Sequence, residues 1–140
     1  MKISTKGRYA LRMLADLAEN SGDGFSSLKD IAKRQEISKK YLEQIVGALN
    51  HGGILITGRG YQGGYKLAKA PSEYTVGSIL RLTEGSLAPV TCLENSVNTC
   101  NRKDFCVTLP IWEGLYEVIN NYLDNITLQD IIDRKNAVKK

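Results

Sequence analysis

Cys92, Cys100 and Cys106 are the three cysteines of the 140-residue chain, and they fall within one fifteen-residue stretch. Thiolates are soft donors, suited to Zn, Cu(I) or iron–sulfur clusters, and a single loop can wrap three of them around one centre. Seven residues separate the first pair and five the second, with no C-x-x-C element. That spacing speaks against a zinc ribbon and against the common ferredoxin patterns. Three thiols leave a fourth ligand to be supplied, for which Glu94, Asn101, Asp104, Thr108, solvent or another subunit are the candidates. The alternatives are unligated thiols or a redox-sensing thiol pair. An odd cysteine count without a signal peptide argues against a disulfide framework. His51, the single histidine, stands beside a glycine stop and reads as a helix-end or phosphate-contact residue.

A second constellation lies in residues 38–67, SKKYLEQIVGALNHGGILITGRGYQGGYKL. Lys39, Lys40, Glu43 and Gln44 share the polar face of a predicted helix, near its start. Leu42, Ile45, Val46 and Leu49 recur three and four apart and share the buried face. Ser38 is placed to cap this helix, and Gly52 and Gly53 are expected to end it in left-handed geometry. Residues 54–57 and 65–67 are short strand candidates, joined by GRGYQGG with Arg59 at the tip. A helix with polar reach at its start, followed by a β-wing with a basic tip, suits a winged helix-turn-helix DNA reader.

The elements that must position these residues follow from the periodicity. Residues 4–20 read as a first helix with Tyr9, Met13, Leu14, Leu17 and Ala18 at helical spacing. Lys6, Arg8 and Arg12 near its start either hold a DNA phosphate or form a solvated basic face. Ser27 begins a second helix running to about residue 35, with Leu28, Ile31 and Ala32 apolar, and residues 36–37 make a tight link to Ser38, with Ile37 buried in the turn. Two short helices so joined carry the helix-turn-helix signature. Thr75 caps a helix over 76–84. Residues 85–108 form a long irregular segment holding the cysteines, a length usual for functional loops. Pro110 suits the first turn of a helix reaching residue 122 or 123. Ile111, Leu115, Val118, Ile119 and Tyr122 make an apolar stripe along it, extended by Trp112 and Tyr116, which reads as a dimer seam. Thr127 caps a last helix over 128–133, and the basic tail 134–140 is expected to fray.

The chain carries a net charge of +4, unevenly spread. Residues 1–70 hold twelve Lys or Arg against six Asp or Glu, whereas residues 71–140 hold seven against nine. A basic N-terminal half suits a polyanionic partner. No apolar run reaches the length of about eighteen residues of a membrane span, and the N-terminus lacks an apolar signal region, so a cytoplasmic location is expected. No nucleophile–base–orienter set and no phosphate-binding loop occurs, which argues against an enzyme.

The opening KISTKGRYALRML, the segments ISKKYLEQI and GRGYQGGYKL, the three-cysteine loop and IWEGLYEVINNYLDNITLQDI together resemble one family along nearly the whole chain. It is the family of winged-helix regulators that holds the iron–sulfur cluster regulator IscR, the cysteine-metabolism repressor CymR, the nitric-oxide sensor NsrR and the iron regulator RirA. The cysteine loop and the LDNITLQDI ending are most similar to the IscR branch. The resemblance implies a mainly α fold with a small β-wing. A winged helix-turn-helix domain (1–84, wing 54–68) would precede a cysteine-bearing loop (85–108) and a dimerisation helix with its tail (109–140). It further implies a homodimer on a double-stranded DNA operator, with a 2Fe–2S cluster on Cys92, Cys100 and Cys106, acting as a repressor of cluster-assembly genes. Ser38, Lys39, Lys40, Tyr41, Glu43, Gln44, Arg59 and Tyr61 are then the candidate DNA contacts. Lys40, Glu43 and Gln44 stand at base-reading positions, and Arg59 at the wing position that enters the minor groove. Lys40 replaces the serine of the enterobacterial pattern, and the loop has two more residues between its first two cysteines. The family's histidine ligand corresponds to Leu109, which cannot ligate iron, and Arg8 stands where the aspartate ligand of NsrR would fall, leaving the fourth ligand open. A cluster-free repressor responsive to thiols or cysteine metabolism, as in CymR, is the alternative.

Overall fold

The computed structural model describes residues 2–20, 22, 24–59 and 63–138. Helix α1 (Thr5–Asn20) is followed by α2 (Leu28–Gln35), α3 (Lys39–His51), strands β1 (Leu55–Gly58) and β2 (Gly64–Leu67), then α4 (Val76–Glu84), α5 (Leu109–Asp124) and α6 (Leu128–Val138). Three predicted caps form as expected. Ser27 Oγ accepts the Asp30 amide at 3.1 Å, Ser38 Oγ that of Tyr41 at 3.1 Å, and Thr75 Oγ1 that of Ser78 at 3.0 Å. Each satisfies one of the donors a helix start leaves unpaired.

Helices α1, α2 and α3 pack their apolar faces together. Met13, Leu14, Ile31, Leu42, Ile45 and Leu49 are closed to solvent, with Ile37 buried in the α2–α3 turn. That turn is made by Glu36 in the left-handed region (φ 56°), an uncommon place for a residue with a side chain. Strands β1 and β2 pair antiparallel, Leu55 opposite Leu67 and Gly58 opposite Gly64. The pairing extends at its base through Ala68 N–H to the Ile54 carbonyl at 3.0 Å. Ser26 adds a bridge to Tyr65, with bonds of 2.9 and 2.8 Å in both directions, so the wing is sewn to the start of α2.

Two expectations change. Of the paired glycines after α3 only Gly53 is left-handed (φ 66°); Gly52 has φ −92°. A Cβ on Gly52 would run into the Leu82 side chain of α4, so this glycine serves close packing. The chain beyond residue 133 does not fray at once: α6 continues to Val138. Its start is anchored by Thr127, whose Oγ1 accepts the Asp130 amide at 3.1 Å while its own amide donates to Asp130 Oδ2 at 2.9 Å. Leu128 of α6 is fully buried in the core built by α1–α3.

A smaller apolar cluster forms around Val76, Leu80 and Leu87, against which Tyr116, Ile119 and Leu123 of α5 pack. The stripe foreseen on α5 is therefore divided. Ile119 faces α4, whereas Ile111, Val118 and Tyr122 are about three-fifths exposed. Arg81 of α4 grips the end of α5 through a fork on Asp124 (2.8 and 3.0 Å) and a bond to Asn120 Oδ1 (2.8 Å). Among the described residues no helix is long and apolar enough to cross a membrane.

Candidate nucleic-acid interface and cysteine loop

The polar start of α3 is open to solvent. Ser38, Lys39, Lys40, Glu43 and Gln44 are all exposed, on the side opposite Leu42, Ile45 and Val46. Tyr41 differs: it is half-buried and meets the Tyr9 ring of α1 edge-on, 5.6 Å between centroids at 77°. Its body therefore anchors the first turn of α3 to α1. Arg59 directly follows β1 with its side chain exposed. Tyr61 lies outside the described residues.

The basic groups near the start of α1 divide in use. Arg8 Nη2 donates to Thr5 Oγ1 at 3.0 Å. Arg12 lies 5.0 Å over the Tyr9 ring and donates to both the side chain and the carbonyl of Gln35, so Arg12 is a tie between α1 and α2. His51 is the last residue of α3 and is exposed, at the helix end its sequence position suggested.

Contacts that the sequence did not disclose hold the wing. Phe25 packs across Gly58, where an added Cβ would sit 2.9 Å from the ring, and the Lys66 ammonium lies 4.9 Å from the ring centroid. Tyr74, buried, donates its hydroxyl to the Ile54 carbonyl at 3.1 Å and accepts the Lys69 amide at 2.8 Å. Burial pushes its phenol above the usual range. The signal in the sequence was only an aromatic residue on either side of the wing.

All three cysteines are free thiols on the surface of one loop. Cys92 sits half-exposed in a short 3-10 turn (Thr91–Leu93). Cys100 is exposed, its amide donating to Asn98 Oδ1 at 2.9 Å. Cys106 lies just ahead of α5, its Sγ 3.5 Å from Thr108 Oγ1. That hydroxyl, the Thr108 and Leu109 amides and the nearby Arg102 charge draw its thiol below the usual range. Among the described residues, no three of His, Cys, Asp or Glu are gathered closely enough to hold a metal ion. The donor chemistry nonetheless suits a soft centre: three thiols on one loop, at least one already inclined to the thiolate form that ligates. Leu109, at the family's histidine position, begins α5 and offers no donor.

Residues 3–134 match the Rrf2 family model, described as an iron-dependent transcriptional regulator. The HTH-type transcriptional regulator CymR of Bacillus subtilis is 39% identical over 94% of this chain and 89% of its own. The HTH-type transcriptional regulator IscR of Serratia proteamaculans is 36% identical over 99% of this chain and 83% of its own. Among solved structures, IscR of T. potens superposes with a TM-score of 0.79 at 38% identity, covering 100% of this chain and 92% of that one. CymR, the global cysteine regulator of B. subtilis, follows with a TM-score of 0.77 at 35% identity, covering 96% and 98%. With the helix-turn-helix and its wing in place and a match along almost its whole length, the chain belongs to the Rrf2 family of transcriptional regulators, and is not an enzyme.

Proposed function

We propose that this regulator is a homodimeric repressor of iron–sulfur cluster assembly genes that senses a 2Fe–2S cluster held by Cys92, Cys100 and Cys106. The observation that carries the reading is the grouping of all three cysteines on one loop leading directly into α5, the helix with the uncovered apolar face. The similarity to IscR proteins adds to it.

The chain's own residues then divide the work. The start of α3 enters the major groove, where Lys40, Glu43 and Gln44 meet base edges and Ser38 and Lys39 meet the backbone. Arg59 enters the adjacent minor groove. Two copies pair along α5, which must space the two α3 helices about 34 Å apart to reach successive major grooves. A bound 2Fe–2S group would supply a redox-active, acid-labile centre whose presence or loss is the signal. The loop's ordering acts at the N-terminus of α5, where Cys106 and Thr108 already touch. It can shift DNA affinity only by as much as it favours one spacing of the dimer over another. The fourth ligand of a bound cluster would come from an oxygen donor such as Glu94 or Asp104, or from solvent.

Anaerobic purification and reconstitution, followed by an ultraviolet–visible spectrum and an iron and sulfide assay, tests the reading. Wild type should show visible charge-transfer absorption with iron and acid-labile sulfide. Cys92→Ala, Cys100→Ala and Cys106→Ala should each lose it while remaining folded dimers. Reconstituted wild type without iron and sulfide, or variants that keep the full spectrum, would remove the cluster. A cluster-free regulator responsive to thiol state is the second reading, favoured by three thiols that are all free and by the comparable similarity to CymR. For it, DNA affinity should change with thiol oxidation in metal-free protein.

A further inference from the structure

Tyr9, Arg12 and Asp16 recur along one side of α1, and all three reach toward the helix-turn-helix. Asp16 is the one buried carboxylate among the described residues, with a side chain only 1% exposed. It accepts from Arg34 Nε at 3.0 and 3.2 Å, from Arg34 Nη2 at 2.7 Å and from Gln35 Nε2 at 2.9 Å. Arg12 closes the set from the other side, donating to Gln35 Oε1 at 3.3 Å and to the Gln35 carbonyl. It also leans on Tyr9, whose ring meets Tyr41 in the first turn of α3. The Asp16 carboxylate lifts the Arg34 guanidinium further above its ordinary range.

These bonds converge on the last two residues of α2. The next residue, Glu36, is the left-handed pivot of the turn (φ 56°), and Ser38, two residues on, caps α3. The direction in which α3 leaves the turn therefore depends on where Arg34 and Gln35 are held. Only the carboxylate side of this ion pair is buried, the Arg34 side chain being 36% exposed, so its net contribution to stability is small, but its bonds are directional. The carboxylate is closed to solvent, so it cannot itself touch DNA.

We infer that Asp16 is a positioning residue for DNA recognition, setting the angle of α3 through Arg34 and Gln35 and thereby the sequence discrimination of a helix it never joins. This rests on α3 being the helix that reads bases. Base-edge bonds require α3 to be placed closely, whereas long lysine side chains keep phosphate contacts over small displacements. Loosening the tie should therefore cost specific binding far more than non-specific binding. A role in stability alone would lower the folded fraction and weaken both alike.

The full-length wild-type protein is first used to enrich sequences from a random 30-base-pair duplex library. The most enriched duplex and a scrambled duplex of the same composition then serve as probes in fluorescence anisotropy at one salt concentration. Asp16→Asn should raise Kd for the enriched duplex about tenfold, the loss of one good base contact, and Kd for the scrambled duplex less than about twofold. Circular dichroism and the thermal midpoint report the folded fraction. Gln35→Ala, which removes two bonds of the same set, the one to Asp16 and the one from Arg12 Nε, should move the ratio of the two Kd values in the same direction by about threefold, and it decides the matter if Asp16→Asn does not fold. A ratio equal to that of wild type overturns the positioning role. If wild type itself enriches no sequence, the assignment of α3 as the base-reading helix fails, and the inference with it.

Discussion

Arg59 and Glu43 are both exposed charges on the proposed DNA face, and they are expected to act in opposite senses. Arg59 follows a strand whose base is pinned by Tyr74 and whose side is braced by Phe25, so its guanidinium is presented from a fixed support. Arg59→Ala should weaken operator binding and reduce the slope of log K against log salt by about one, as for one lost phosphate neighbour. Anisotropy titrations across a salt series check this, and an unchanged affinity with an unchanged slope removes the wing from the interface. Glu43 carries a negative charge beside Lys39 and Lys40. A carboxylate in the major groove accepts from cytosine N4 and repels base acceptors and phosphates, so it discriminates in part by rejection. Glu43→Ala should widen the set of duplexes enriched from a random library and strengthen binding to scrambled DNA. A variant with the wild-type sequence profile would show that Glu43 does not read bases.

The wing is a two-stranded ribbon, and a lone hairpin is marginal in water. Its order comes from its ties: the Ser26–Tyr65 bridge at β2, Phe25 across Gly58, and the Tyr74 hydroxyl at its base. Tyr74→Phe keeps the ring in the core and removes only the hydroxyl. The Ile54 carbonyl still accepts from the Ala68 amide, but the Lys69 amide loses its hydrogen-bond partner. The expected cost is about 1–2 kcal/mol of folding free energy, read as a lowered urea midpoint at constant slope. Helix α4 has a comparable joining role. It presents Leu82 to Gly52 at the end of α3 and Arg81 to Asp124 at the end of α5, so the two functional helices share one support.

For the molecule as a whole, α5 is the α-helix whose burial is incomplete: among the described residues none on it is fully buried. Tyr116, Ile119 and Leu123 cover α4, while Ile111, Val118 and Tyr122 face outward. An apolar face of that kind marks an interaction surface, and the proposed two-fold pairing would close it. Val118→Asp should leave helix content unchanged and shift sedimentation from dimer to monomer. Affinity for a duplex with two half-sites should fall steeply, because the second half-site no longer binds as part of the same molecule. A variant that remains a dimer in sedimentation would place the seam elsewhere.

Local chemistry made much of this protein legible from its residues alone. The caps at Ser27, Ser38, Thr75 and Thr127, the apolar spacing of α1 and α3 and the two short wing strands each act within a few residues of chain, so periodicity and capping rules reach them. The family itself was legible too, from motifs spread over nearly the whole length. Tertiary structure alone decided what depends on contacts distant in sequence. It placed Asp16 against Arg34 and Gln35, required Gly52 for the approach of Leu82 rather than for a left-handed turn, divided the α5 stripe between α4 and open surface, and drew Leu128 back into the first core. The three thiols show the same division: their donor chemistry can be read from composition, but whether they converge depends on how loop 85–108 closes, and no local rule determines that.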